Sequence, residues 1–260
     1  MVAVRRIASL VPSMTESVCV LGARDRLVAV TRYCVEPEAE LRDVPRVGGT
    51  KNPKLEKIAA LDPDLVVVNT EENRLEDIAW LRERFRVLEH VPRTVGEAAE
   101  ALRELAAALD LVEAALPHLL AVEAQLAAGQ VDDLVLEPVS VFYPIWRKPW
   151  MGVGRDTYVR DVLRCAGARN VCDALEGRYP EVSVEWLRSQ QVDVVVLPDE
   201  PWEFTPADRD ALAAGGEFPA GARVLCASGK DFCWHGVRTA PGLGAVRSLL
   251  RPLRRRRTAH

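Results

Sequence analysis

Two runs of aliphatic residues, each led by an aspartate, constrain this chain more than any other feature. Residues 64–69 read DLVVVN and residues 193–197 read DVVVL, with apolar residues in unbroken succession instead of alternation. A strand that is apolar on both faces must be covered on both, which is the condition of a parallel sheet flanked by helices. The segments in front of these runs agree. Residues 54–69, KLEKIAALDPDLVVVN, and 184–198, VEWLRSQQVDVVVLP, are each an amphipathic helix followed by Asp and a strand. A second echo pairs Leu21-Gly22-Ala23-Arg24 with Ala166-Gly167-Ala168-Arg169, each at the end of an expected helix. The βαβ unit thus occurs in both halves, and the fold class expected is α/β with two related lobes.

The remaining elements fit around these anchors. Strands are expected over 4–10, 27–31, 86–91, 139–143 and 223–227, with helices between them. Ser13 with Glu16 three residues on reads as a capping box, as does Thr94 with Glu97. Asn52 before Pro53 marks a cap and first helical position for a helix over 54–61. Asp156, Ser183 and Thr205 mark further caps. From 94 to 128 the sequence is rich in Ala, Leu and Glu, interrupted by Pro117, with Asp110 as an internal cap. That is more helix than one crossover needs. The expected division is a first α/β lobe over 1–93, a helical segment over 94–130 including an interlobe helix, a second α/β lobe over 131–252, and a basic tail over 253–260.

Charge and hydropathy exclude several functions. Asp and Glu number 38 against 34 Lys and Arg, a net charge of −4, which argues against a nucleic-acid binder. No apolar run approaches the ~18 residues of a membrane helix. The opening MVAVRRIASLVPS lacks the apolar core and cleavage site of a secretory signal. As it stands the sequence reads as cytoplasmic; behind a leader it would be periplasmic or surface-anchored. The six cysteines include no Cys-x-x-Cys pair and suit small core residues better than zinc or a disulfide framework.

Aromatic residues are only 6% of the chain, so their gathering in second-half loops is informative. Tyr143, Trp146 and Trp150 lie in YPIWRKPWMG, Tyr179 in GRYPEV, Trp202 and Phe204 in PDEPWEF, and Phe232 and Trp234 in KDFCWHG. Such loops follow expected strands, at the edge where open α/β sheets bind ligands. Arg147, Lys148, Arg178, Asp199, Glu200, Lys230 and His235 share them. Flat rings with a few charges suit a large, rigid, partly polar small molecule. Trp80 and Trp186 lie on helix faces and read as packing. Catalytic signals are weak: there is no Gly-x-Ser-x-Gly elbow and no Walker loop, and Gly152-Val153-Gly154 lacks the third glycine of a dinucleotide fingerprint. Of the four histidines, His90, His118 and His260 lack site-like neighbours. His235 has them, and reads as a hydrogen-bonding pocket residue before an axial metal ligand. No catalytic residue and no metal-ion site is assigned.

Four segments carry a family resemblance: RIASLVPSMTESVCVLGARDRLVAVTRYC, VGGTKNPKLEKIAALDPDLVVVNTEENR, PWMGVGRDTYVRDVLRCAGARNVCDALEGRYPEVSVEWL and GKDFCWHGVRTAPG. In this order they cover most of residues 5–250. They resemble the helical-backbone periplasmic binding proteins that serve ABC importers of metal chelates, and among these the cobalamin-binding branch. The resemblance implies two Rossmann-like lobes joined by one long helix, with a ligand cleft between the lobes. It implies ligand contacts from Tyr33 in TRYC, from Tyr179, and from Asp231 beside Phe232 and Trp234. Asn69 and Thr50 stand where some cobalamin binders carry pocket residues, Asn69 in place of a tryptophan. Lys51, Arg178 and Lys230 are expected to pair with side groups of the ligand, and Glu72 and Arg74 join the binding set.

The function so implied is non-enzymatic. The chain is expected to bind a corrinoid such as cobalamin and feed an ABC importer, with haem or a ferric siderophore as alternative ligands. A cytosolic corrinoid- or haem-handling protein or enzyme on the same fold is the alternative of another class. No intrinsic cofactor is expected, and the protein is expected to be a monomer. Acidic residues at the lobe tips would dock on a permease. These are Glu71, Glu72 and Glu76 in the first lobe and Asp199, Glu200 and Glu203 in the second, with Glu76 and Glu203 foremost.

Overall fold

The computed structural model describes residues 3–257; the end of the basic tail, with His260, lies outside the described residues. The chain forms two compact units. One comprises the chain up to Pro92 with Gly96–Ala121 and His235–Arg238; the other comprises Arg93–Val95, Val122–Trp234 and the chain from Thr239 onward.

In the first unit, strands β1 (Ile7–Ser9), β2 (Leu27–Val30), β3 (Leu65–Val68) and β4 (Val87–Glu89) form one parallel sheet in the order β2-β1-β3-β4. The helices are α1 (Pro12–Val18), α2 (Glu38–Leu41), α3 (Leu55–Ala60), α4 (Leu75–Arg82) and α5 (Val95–Ala108). The DLVVVN run is β3, and all four of its strand residues are buried. Successive side chains point to opposite faces. Leu65 and Val67 therefore enter one core with Met14 of α1 and Leu102 and Leu105 of α5. Val66 and Val68 enter a second core with Ile58 of α3 and with Ile78 and Leu81 of α4. Helices on both faces are what the unalternated run required.

A long helix follows, α6 (Val112–Val135). It starts in the first unit and continues into the second, which takes over at Val122. In the second unit the strands are β5 (Val139–Phe142), β6 (Pro144–Trp146), β7 (Trp150–Gly152), β8 (Ala168–Asn170), β9 (Glu181–Val182), β10 (Val194–Pro198) and β11 (Arg223–Ala227). Its helices are α7 (Tyr158–Cys165), α8 (Val184–Ser189), α9 (Pro206–Ala214), α10 (Lys230–Cys233) and α11 (Thr239–Leu250). A parallel sheet runs β11-β10-β5-β8, and β6-β7-β9 form a small antiparallel sheet. Numbered within each unit, both parallel sheets have the strand order 2-1-3-4. The repeat read from the sequence is a repeat of topology.

Several helix starts differ from expectation. Pro12 occupies the first helical position of α1 and Val11 the cap, so Ser13 lies inside the helix and closes no capping box. Glu16 instead accepts a hydrogen bond from Arg238 Nε at 2.8 Å. Pro53 pairs with Gly48 in an isolated bridge, and α3 begins only after Lys54. Asp156 has φ +60 and precedes the true cap, Thr157, whose Oγ1 accepts from Arg160 N at 3.3 Å. Asp110, at φ +58, sits in the break between α5 and α6. Pro117 lies inside α6, where it removes one i→i−4 bond without ending the helix. Ser183 and Thr205 cap as expected, Thr205 in a reciprocal box with Asp208 and with Pro206 at the first position. Thr205→Ala removes that box and is expected to lower stability by about 1 kcal/mol, read as a shift of the urea midpoint.

Candidate functional site

In a 2-1-3-4 sheet the direction of winding reverses between the first and third strands, and ligands bind outside the carboxyl ends there. In the first unit this point lies between β1 and β3. Asn69, the residue after β3, is buried, and its Oδ1 accepts from Glu71 N at 2.7 Å. Its own N–H donates to Asn73 Oδ1 at 2.9 Å. Asn73 Nδ2 in turn donates to Thr50 O at 3.0 Å and more weakly to Leu10 O at 3.4 Å. Asn69 therefore shapes the loop from within. Asn73 was missed by sequence reading, although two Asn residues four apart after a strand are a recognisable turn signal.

Neighbouring loops are fixed in the same way. Lys51 Nζ donates to Glu71 O at 2.7 Å. Gly48 O accepts from Arg32 N at 2.8 Å, tying the 48–53 loop to the residue after Thr31. Arg74 is held by Asp77 at 3.1 Å and faces Glu76 at 3.4 Å. Glu72 is half-buried. Tyr33 stands out, 49% exposed, with the Arg32 guanidinium 4.9 Å from its ring centre.

In the second unit the aromatic set divides. Trp146 is 43% and Tyr179 36% exposed, and Trp202 is half-buried. Trp146 meets Trp202 edge to face at 4.6 Å, and the Arg178 guanidinium lies 5.8 Å from the Tyr179 ring. The others run inward. Trp202 leads to Phe204 at 6.3 Å, Phe204 stacks on Trp150 at 5.9 Å, and Trp150 packs on Phe142 and Phe218. Trp150 and Phe204 belong to the hydrophobic core. Trp150 is fixed by its Nε1 donating to Glu217 Oε2 at 2.9 Å, while Arg147 Nη2 donates to Glu217 Oε1 at 2.9 Å.

Tyr143 and Phe232 are buried as well. Each is 1% exposed, and their rings pack at 4.9 Å. Burial, with Cys233, Glu200, Asp199 and Asp231 nearby, holds the Tyr143 phenol well above its usual range, so it stays neutral. Trp234 is also buried, with the Lys230 ammonium 5.1 Å from its ring centre. His235 is buried in the first unit, and burial, aided by His90, pushes it down to about 3. It is a neutral, buried imidazole at neutral pH. Asp231 is half-buried, and Glu76 and Glu203 are exposed.

Burial pushes the thiols of Cys19, Cys165 and Cys172 up to about 12, which makes them poor nucleophiles. Among the described residues no group of three or more His, Cys, Asp or Glu is placed to hold a metal ion. A cavity of about 260 Å³ in the first unit is lined by His90, Glu89, Glu97, Glu100 and Glu104 with Val91, Pro92 and Ala101. It is acidic and too small for a macrocycle.

A repeated open α/β sheet with aromatic and charged loops at its carboxyl edge is the architecture of a solute-binding protein. The profile of the periplasmic binding protein family matches residues 7–214, and the chain belongs to that family, whose members bind solutes and are not enzymes. A vitamin B12-binding protein of Vibrio cholerae is 28% identical over 237 residues, covering 88% of this chain and 79% of that protein. The crystal structure of the periplasmic vitamin B12 binding protein of Vibrio cholerae superimposes with a TM-score of 0.82 at 23% identity, over 96% of this chain and 98% of that one. A periplasmic heme binding protein from Pseudomonas aeruginosa superimposes with a TM-score of 0.80 at 26% identity, over 98% of this chain and 96% of that one. Among the described residues no helix is long and apolar enough to cross a membrane.

Proposed function

We propose that this chain binds a metal chelate, a corrinoid foremost, through the carboxyl-edge loops of its two sheets. The observation that carries the reading is the exposed aromatic surface at those edges. Trp146 with Trp202, and Tyr179, provide it in the second unit, and Tyr33 in the first. Rings cover the flat faces of a macrocycle, and Arg178 beside Tyr179 and Arg32 beside Tyr33 answer its polar side groups. The vitamin B12-binding relative supports a corrinoid, and the heme-binding neighbour supports haem as the second reading.

Titration calorimetry with cyanocobalamin and, separately, haemin tests the choice. One cobalamin per chain, bound more tightly than haemin and recovered unchanged, is the expected result. Tighter haemin binding would transfer the reading to haem, and chemical conversion of the cobalamin would favour an enzyme. Tyr33→Ala and Tyr179→Ala are each expected to weaken cobalamin binding about 10- to 100-fold, the worth of one aromatic contact. Unchanged affinity in both would remove the aromatic edge from the site.

The same reading puts the protein in the periplasm, delivering its ligand to an ABC permease. Glu76 and Glu203 each follow the third strand of their own sheet, and both are exposed. Rim charges set association rate and salt dependence. Glu76→Lys with Glu203→Lys is expected to abolish permease association and leave cobalamin affinity unchanged, as measured by pull-down and calorimetry. Association that survives the double reversal would place docking elsewhere.

A further inference from the structure

Trp146 ends β6, and the turn over residues 147–149 leads from it straight into β7. Lys148, at the tip of this turn, is exposed and has φ +66. A residue with a side chain keeps that left-handed conformation only where its surroundings hold it. The hold comes from Glu217, in the segment between α9 and β11. Its Oε1 accepts from Arg147 Nη2 and its Oε2 from Trp150 Nε1, both at 2.9 Å. One carboxylate thus bridges the residues on either side of Lys148 and Pro149, and each of its oxygens has a protein donor.

Glu217 is itself anchored on both sides. The preceding Gly216 O accepts from Arg188 Nε at 2.7 Å. The following Phe218 is buried and packs on Trp150 at 5.6 Å and on Phe142 at 6.2 Å. Arg147 makes a second link, because its Nη1 faces Asp208 Oδ1 at 3.7 Å. Asp208 closes the capping box of α9, and the loop in front of that box carries Trp202. Trp202 is the ring that Trp146 meets edge to face at 4.6 Å. The two rings of this edge are therefore tied together twice, by their own contact and through Arg147, Glu217 and the start of α9.

We propose that Glu217 is a positioning residue: without touching the ligand, it sets the 147–149 turn so that Trp146 is presented against Trp202. Its consequence for affinity rests on the reading that this edge meets the ligand. In the full chain labelled with 5-fluorotryptophan, the fluorine resonance of Trp146 is assigned by its loss in Trp146→Phe. Glu217→Ala should move that resonance toward the position of a free indole. So should Glu217→Gln, which keeps the shape but offers one acceptor to two donors. Asp193→Ala removes a bond of like kind, accepted from Ser140 N at 2.8 Å at the amino end of the same sheet, and should leave the resonance in place. Calorimetry with cyanocobalamin should show about 10-fold weaker binding for Trp146→Ala and about 5-fold for Glu217→Ala. The double variant should bind no more weakly than Trp146→Ala alone, because Glu217 acts through that ring. An unmoved resonance in Glu217→Gln, a comparable shift in Asp193→Ala, or losses that multiply in the double variant would overturn the proposal. Unchanged affinity in Trp146→Ala would overturn the ligand reading at this edge, while the resonance, which needs no ligand, still decides for or against Glu217.

Discussion

Acidification from pH 7 to pH 4 is expected to destabilise the fold by about 3 kcal/mol through His235 alone. The folded protein holds this imidazole neutral down to about 3, against an ordinary value of 6.5. Between those two values the unfolded chain binds a proton that the folded chain does not. Stability is therefore full above about pH 6.5 and declines as the pH falls toward 3, at about 1.4 kcal/mol per pH unit. His90 is lowered as well, chiefly by burial, and works in the same direction. Urea unfolding at a series of pH values checks this when wild type is compared with His235→Gln. Carboxylates contribute equally to both proteins, so the difference in slope belongs to the imidazole. The variant should show a flatter profile below pH 6.5; parallel profiles would mean that His235 is solvated.

Gly48→Ala is expected to cost about 3 kcal/mol and to weaken ligand binding with it. The backbone there has φ +104, and an added Cβ would lie 2.7 Å from the carbonyl oxygen of Asn52. The obstacle is main chain, which has no rotamer into which to retreat. Left-handed strain accounts for about 1–2 kcal/mol, and the collision for a comparable amount. Gly22→Ala separates the two, because φ is +87 at that position and nothing lies within 4 Å of the added atom. It should lose only the backbone part. The Gly48 loop carries Thr50 and Lys51 and is bonded to the segment before Tyr33, so a shift there reaches the proposed ligand edge. Denaturant melts of both variants, followed by cobalamin titration, measure the two effects. Equal losses at the two positions would show that the loop yields.

The parallel sheets were legible because DLVVVN and DVVVL admit one environment, covered on both faces. The small β6-β7-β9 sheet was not. Its strands have two or three residues each, and Pro144 and Pro149 fall in or beside them, so no period could register. The aromatic loops were legible as loops, but sequence carried no sign of which rings turn inward. That depends on partners far along the chain, as when Glu217 holds Trp150 from 67 residues away. Displaced caps share one cause: Pro12 and Thr157 compete for the start of a helix with the residue beside them, and local geometry decides. The exposure of Leu116, Leu120 and Leu134 on α6 was hidden by composition, since Leu reads alike on a covered and an uncovered surface.

The ion pair of Glu16 with Arg238 has a consequence for the order in which the protein is made. The two residues are 222 positions apart, yet both belong to the first unit. At about 5–20 residues per second, the ribosome has roughly 10–45 s to wait between the carboxylate and its guanidinium. Throughout that interval α1 lacks both the Arg238 guanidinium and the 236–238 turn, whose Val237 N donates to Ser17 Oγ at 3.1 Å. The first unit is thus completed only when residue 238 has been made, and truncation anywhere before it leaves α1 without its cover and Glu16 without its cation.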